Sequence, residues 1–228
     1  MNMNRAERRR VETHQRLFES LRDELAVSGL DATTVQAVTD RADVALGTFY
    51  NHFEDKEAAI RALAEVELAA IRTARGALDG HSDELPRFMT TTFSVVAQKA
   101  RSDQRWIRTS DALVQGGWWP GPQVHAMYVA FATDARQRSM VGLANAEWAA
   151  KVMETMLATF VRHLAADAGQ SPTNALLSEA LRSLLGALEI PADVVSEEIR
   201  YAMSLPERVE WPDDEMVRTS IDLGMSRL

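Results

Sequence analysis

Cysteine is missing from all 228 residues, so the chain builds neither a disulfide framework nor a thiolate metal or redox site, which fits a reducing compartment. Long apolar runs are missing as well. No stretch nears the ~18 uninterrupted apolar residues of a membrane span, and "MNMNRAERRR" turns basic without the apolar core of a secretory leader. A soluble cytoplasmic protein with no membrane partner is expected. Sustained period-two runs of β-branched residues are lacking, which argues against strands. So are catalytic signatures: there is no G-x-S-x-G and no phosphate-cradling glycine loop. His14, His52, His81, His125 and His163 are far apart, with no HExxH or i,i+4 pair. No catalytic residue, metal or cofactor is therefore expected. The last absence is a basic excess. The formal charge is −8, and within residues 1–60 Arg5, Arg8, Arg9, Arg10, Arg16, Arg22, Arg41 and Lys56 face eleven carboxylates. Any contact with nucleic acid must depend on a few positioned groups and not on a general positive field.

What the chain does contain is helical periodicity. With 46% hydrophobic residues it can bury a substantial core. Val11, Leu17, Phe18, Leu21 and Leu25 lie on one face of a helix over 5 to about 28, which Gly29 stops. Thr33 or Thr34 caps a second helix with Val35, Val38 and Ala42 on one side. After Asp43 and Val44, "LGTFYNHF" restarts the pattern, with Phe49 and Phe53 sharing a face. Two short helices joined by a turn of about four residues are a helix-turn-helix. Asp55 then stands as an N-cap for a helix that runs to Gly80 through Ile60, Leu63, Ile71, Ala74 and Leu78. Further helices are predicted over 84–100, 103–115, 121–142, 145–168, 172–188 and 192–204, separated by "HSDELP", "GGWWPGP", "AGQSP" and "EIP". In the tail, Pro212 opens a short helix docked by Met216, Val217 and Ile221, or else the tail is loosely held. The expected fold is all-α: a three-helix helix-turn-helix domain over 1–54, a larger helical domain over 55–204, and an extension over 205–228.

The segment "VALGTFYNHFEDKEA" carries the densest chemistry. Helix starts near Thr34 and Asp55/Lys56 offer unpaired N–H groups and a positive dipole end suited to phosphates, and Lys56 adds a point charge. Thr48 and Tyr50 are hydroxyl donors of different reach. Leu46, Gly47, Asn51 and His52 belong to the helix that would enter a major groove. Other readings stand beside these: Tyr50 as core with its hydroxyl at the rim, His52 as an ordinary surface residue, and Arg8 to Arg10 as a solvated first turn instead of a minor-groove arm.

The stretch "TTVQAVTDRADVALGTFYNHFEDKEA" resembles the N-terminal domain of the TetR family of bacterial transcriptional regulators. The resemblance rests on the threonine before the second helix, Val44 in the turn, the Gly-Thr-Phe-Tyr run, Phe53 and Lys56. This chain has Asp43 where the family usually has glycine, Ala45 where serine commonly caps the recognition helix, and Ala59 where a larger apolar residue is usual. The resemblance implies phosphate contacts by Tyr50 and Lys56, base contacts by the recognition helix, and a double-stranded operator as partner. It also implies an effector pocket in the larger domain. Candidates for lining it are Phe88, Thr92, Trp106, Asp111, Trp118, Met127, Phe131, Met156 and Phe160, with Arg108, Gln115 and His125 as further polar fixers. A small, mainly apolar effector of little or no charge is expected.

The apolar stripes of 145–168 and 172–188 are wider than one buried face requires, so Met153, Leu157, Val161, Leu177, Leu181, Leu184 and Leu188 are candidates for a four-helix homodimer interface. The expected function is a ligand-responsive repressor that binds a palindromic operator as a dimer and is released by the effector. A regulator without an effector, and a helical small-molecule carrier or enzyme, are the alternatives.

Overall fold

Every regular element in the computed structural model is an α-helix among the residues it describes, 5–79, 82, 84–167, 173–207 and 209–212. The order is α1 (Arg5–Ala32), α2 (Val35–Ala42), α3 (Leu46–Tyr50), α4 (Lys56–Asp79), α5 (Leu85–Ser102), α6 (Gln104–Gln115), α7 (Pro122–Gln137), α8 (Ala146–Ala166), α9 (Thr173–Ala187) and α10 (Ala192–Ser204). The expected all-α class is the one observed. No helix among the described residues is long and apolar enough to cross a membrane. The helix expected from Pro212 onward, with Met216, Val217 and Ile221, lies outside the described residues, as does the stop at Gly80.

Punctuation follows the sequence closely. Gly29 breaks α1 at φ 74°, ψ 178°, a conformation that a side chain would resist. Of the two candidate caps, Thr34 takes the role: its hydroxyl accepts the Ala37 N–H at 3.1 Å, while Thr33 donates to the Gly29 carbonyl at 2.7 Å. Asp55 accepts the Ala58 N–H at 2.7 Å and so caps α4. One boundary differs. Helix α7 ends at Gln137 instead of continuing to 142, because Ser139 turns left-handed (φ 57°) and the Met140 N–H donates back to the Ala135 carbonyl at 2.8 Å. Met140, Val141 and Leu143 still pack on the core from this turn, which is why their apolar pattern reads as more helix.

Helix α5 is the axis of the larger domain, touching α4, α6, α7, α8, α9 and α10. Nearly every position from Leu85 to Ala97 is buried, including four with hydroxyl side chains. Three of those hydroxyls are satisfied one turn back along the helix: Thr91 donates to the Arg87 carbonyl (2.9 Å), Thr92 to Phe88 (2.8 Å) and Ser94 to Thr90 (2.8 Å). The fourth, Thr90, has a buried hydroxyl that meets no partner among the described residues.

Candidate nucleic-acid interface and ligand cavity

Helices α1 to α3 and the start of α4 share one small core. Leu17, Phe18 and Leu21 meet Val38, Ala42, Phe49 and Phe53, and Ala59, Ile60 and Leu63 close it from α4. Phe18 and Phe49 both approach Phe53, with ring centroids 5.4 and 5.3 Å away. Burying Phe49 on this side turns the opposite face of α3 outward. Leu46 is 44% exposed and Tyr50 54%, with Gly47 and Asn51 exposed beside them and Thr48 at the edge.

The turn that sets α3 against α2 is held by two devices. Asp43 adopts the left-handed conformation (φ 51°, ψ 53°) that an aspartate tolerates better than most side chains. Arg16 reaches from α1 to donate to the carbonyls of Ala42 and Asp43, the latter at 3.1 Å. Ala45 supplies no side-chain cap to α3. Lys56 donates to the Thr33 carbonyl at 3.1 Å, so its ammonium sits beside the capped start of α2. Thr34 and Lys56 are thereby brought together, and α3 projects from the same domain. His52 is half-buried and turns back to α1, its Nδ1 3.3 Å from that of His14. Burial, aided by the charge of Arg10, holds its pKa below the usual histidine value.

A buried polar cluster joins this domain to the larger one. Glu67 of α4, 3% exposed, accepts Arg22 Nε of α1 at 2.8 Å and Trp106 Nε1 of α6 at 2.7 Å. Thr109 of α6 donates to the Arg22 carbonyl at 3.1 Å, and Arg105 pairs with Glu19 (2.7 Å) and Asp23 (3.1 Å). Trp211 of the C-terminal segment meets Trp106 edge to face, with centroids 5.4 Å apart. Trp106, expected in an effector pocket, belongs to this junction and lines an open, polar cleft of about 630 Å³ beside it.

A more apolar cavity lies elsewhere in the larger domain. It measures about 470 Å³, within the usual range for small-molecule sites. Its wall takes Glu65, Leu68, Ile71, Arg72 and Arg75 from α4, Phe88 and Thr92 from α5, Trp119 from the α6–α7 connection, Gln123, Val124, Met127 and Tyr128 from α7, and Leu157 from α8. Phe88, Thr92 and Met127 were legible as lining residues, and Phe131 backs Phe88 with centroids 4.4 Å apart. The other candidates sit apart from it. Asp111, Arg108 and Gln115 line a separate cleft between α1 and α6. Trp118 lies under Arg61 of α4, whose guanidinium carbon is 5.7 Å from its ring centroid. Phe160 stacks on Phe93 at 4.9 Å inside the core, and Met156 is half-buried on α8. His125 bridges Glu154 (2.7 Å) and Glu147 (3.0 Å). Sequence reasoning missed the α4 wall, although a signal exists: Leu68, Ile71, Arg72 and Arg75 recur at i, i+3, i+4 and i+7, which places two cations in an apolar stripe.

The stripes assigned to a dimer interface need correction. Met153, Leu157, Val161, Leu177, Leu181, Leu184 and Leu188 are all at most 4% exposed in the single chain. They pack α8 and α9 onto each other and onto α5 and α10, the use any core helix makes of an i, i+3, i+4, i+7 pattern. The outward face of α8 instead carries Trp148, 61% exposed, with Val152 half-buried and Thr155 and Thr159 exposed; that of α9 carries Arg182, Ser183 and Gly186.

An N-terminal helix-turn-helix head on a larger all-helical body is an architecture that DNA-binding transcriptional regulators use. Residues 17–63, which carry the helix-turn-helix, match the profile of bacterial regulatory proteins of the tetR family. Its fold is similar to that of a gamma-butyrolactone receptor described as ArpA-like, at 20% identity over 86% of this chain and 96% of the other (TM-score 0.58). It is also similar to the TetR family protein CprB from S. coelicolor A3(2), at 20% identity over 86% and 96% (TM-score 0.57). A third is NalD of Pseudomonas aeruginosa, the secondary repressor of the MexAB-OprM multidrug efflux pump, at 12% identity over 81% and 98% (TM-score 0.62). At these identities the likeness is one of fold. No curated protein matches the chain by sequence.

Proposed function

We propose that the protein is a ligand-responsive repressor that binds a palindromic operator as a dimer and is released by a small molecule with a mainly apolar body. The observation that carries this reading is the outward face of α3: Leu46, Gly47, Tyr50 and Asn51 are exposed on a helix whose other face is anchored by Phe49. That face is dimensioned for a major groove, with Thr48 and Tyr50 offering hydroxyls to the backbone. Thr34 and Lys56 supply a helix start and an ammonium for a phosphate beside it. His52, drawn back against α1, is left at the edge of this surface.

A dimer formed through the outward faces of α8 and α9 would present two such heads to successive half-sites about 34–36 Å apart. Trp148 is an aromatic anchor of the kind that dominates interfaces, and Ser183 and Gly186 permit close approach. Ligand and DNA are linked through α4. The helix begins at Lys56 beside the DNA face, supplies Glu67 to the buried junction, and forms the cavity wall from Glu65 to Arg75. A ligand that fits one tilt of α4 better than another shifts DNA affinity by its differential affinity for the two states. The cavity favours this reading over a regulator without an effector.

Band-shift titration with the DNA upstream of the protein's own gene tests the proposal. Binding in preference to random DNA is expected, and Tyr50→Ala, which leaves the buried core intact, should weaken it by about tenfold with the melting temperature unchanged. Equal affinity for random DNA, or an unaffected Tyr50→Ala variant, would remove α3 as the reading head.

A further inference from the structure

The buried part of the cavity wall holds two hydrogen-bond donors that the fold does not use. Trp119 is 3% exposed, and its indole N–H meets no acceptor among the described residues. Tyr128 is 2% exposed, and its hydroxyl makes no hydrogen bond to any described residue. Burial, with Glu154 adding to the effect, pushes the Tyr128 pKa well above the ordinary phenol value, so the group is a neutral hydroxyl with a proton to donate. The buried polar neighbours in the wall are engaged. Thr92 donates to the Phe88 carbonyl at 2.8 Å. Arg75 lies with its guanidinium carbon 4.4 Å from the centroid of the Phe88 ring and its Nη1 3.5 Å from the Ser82 carbonyl. The lining residues Glu65 and Gln123 are exposed and have water for a partner.

Buried donors without acceptors are uncommon and cost free energy. Both of these line a cavity of about 470 Å³, so a molecule held there can supply the acceptor that the protein does not. An indole N–H donates only, which rules out a ligand group that is itself purely a donor. Charge is not called for either. Tyr128 feels the carboxylate of Glu154 more strongly than the guanidinium of Arg75, so an anion beside its hydroxyl would meet the larger of the two charges as a like one. A carbonyl oxygen answers both requirements, since it has two lone pairs and no net charge. Leu68, Ile71, Met127 and Leu157 supply apolar wall for the rest of the molecule. We infer that the effector is an uncharged compound whose ketone, ester or amide carbonyl accepts from Trp119 and Tyr128, with its hydrocarbon body against the α4, α7 and α8 walls. The inference rests on the reading of this cavity as the effector site and gives the mainly apolar effector its one polar group.

Three probes of one skeleton test it: benzylacetone, a ketone; butylbenzene, in which a methylene replaces the carbonyl; and hydrocinnamate, in which a carboxylate does. Binding to the purified full chain is read by calorimetric titration and by the indole N–H resonances of isotope-labelled protein, with Trp119→Phe identifying the signal of Trp119. Benzylacetone should bind more tightly than hydrocinnamate and move the Trp119 resonance downfield, and butylbenzene should leave that resonance in place. Tyr128→Phe removes a hydroxyl that is unpartnered in the free protein, so its melting temperature should not fall. The variant should nevertheless bind benzylacetone about tenfold more weakly, with butylbenzene affinity unchanged. Trp119→Phe should act on the two probes in the same direction, and the Tyr128→Phe comparison stands without it. Equal losses for ketone and hydrocarbon in Tyr128→Phe, a Trp119 signal that ignores benzylacetone, or tighter binding of hydrocinnamate would overturn the carbonyl contact and leave the cavity as an effector site. Failure of all three probes to bind overturns both.

Discussion

His125 holds two carboxylates at once: Nδ1 lies 2.7 Å from Glu154 and Nε2 3.0 Å from Glu147, so one side chain of α7 ties down two turns of α8. The hydrogen bond with Glu154, and then that with Glu147, raises its pKa above 6.5. A raised histidine stabilises the folded state fully below its unfolded value of about 6.5, and the contribution is lost as pH rises through the folded value. Melting curves of His125→Gln and the native chain should therefore differ most in mildly acidic buffer and converge in alkaline buffer. A gap that is constant with pH would mean that the clamp does not depend on the imidazolium. At this scale the sequence was a partial guide. Thr34, Asp55 and the exposed Tyr50 follow from local rules of capping and periodicity. The partners of His125 and Trp106 do not, because each is met by a side chain of another helix.

Among the elements, α4 is the one with most to do. Its first turn belongs to the DNA-binding head, its middle to the buried junction and its later turns to the cavity. Glu67 is central to the junction, since it accepts from both α1 and α6 while almost fully buried. Glu67→Ala removes the buried acceptor of both Arg22 Nε and Trp106 Nε1, so it should destabilise the protein by roughly 3 kcal/mol. Urea unfolding checks this: the midpoint should fall with the slope unchanged, and a shift of only a few tenths would show that Arg22 is satisfied without Glu67. The apolar spacing of α4 was legible. That its arginines face a cavity was not, because a helical stripe says which residues share a face but not whether that face meets a packed neighbour or a space.

In the whole molecule, the same limit bears on the proposed dimer. The leucine stripe of α9 and the Met153, Leu157 and Val161 stripe of α8 go to the interior, and what remains outside is less apolar and carries the exposed Trp148. Trp148→Glu should weaken self-association by about thirtyfold or more, as loss of a central aromatic anchor does, and convert the protein to monomer at micromolar concentration in light-scattering chromatography. A dimer that persists in this variant would place the interface on another face. Operator affinity should fall with the dimer, because each acidic chain brings only a few cations to the DNA.

The sequence by itself determined the helices, most of their ends and the helix-turn-helix, since these depend on spacing, capping and left-handed positions within a few residues of one another. Asp43 shows how local such rules are: an aspartate serves at the left-handed turn position, and the turn keeps its form. Only the tertiary structure decided which apolar faces became core, which cations came to line the cavity and which tryptophan joined the two domains. These are matters of which helices pack together, and a periodic stripe marks a shared face without naming the neighbour that covers it.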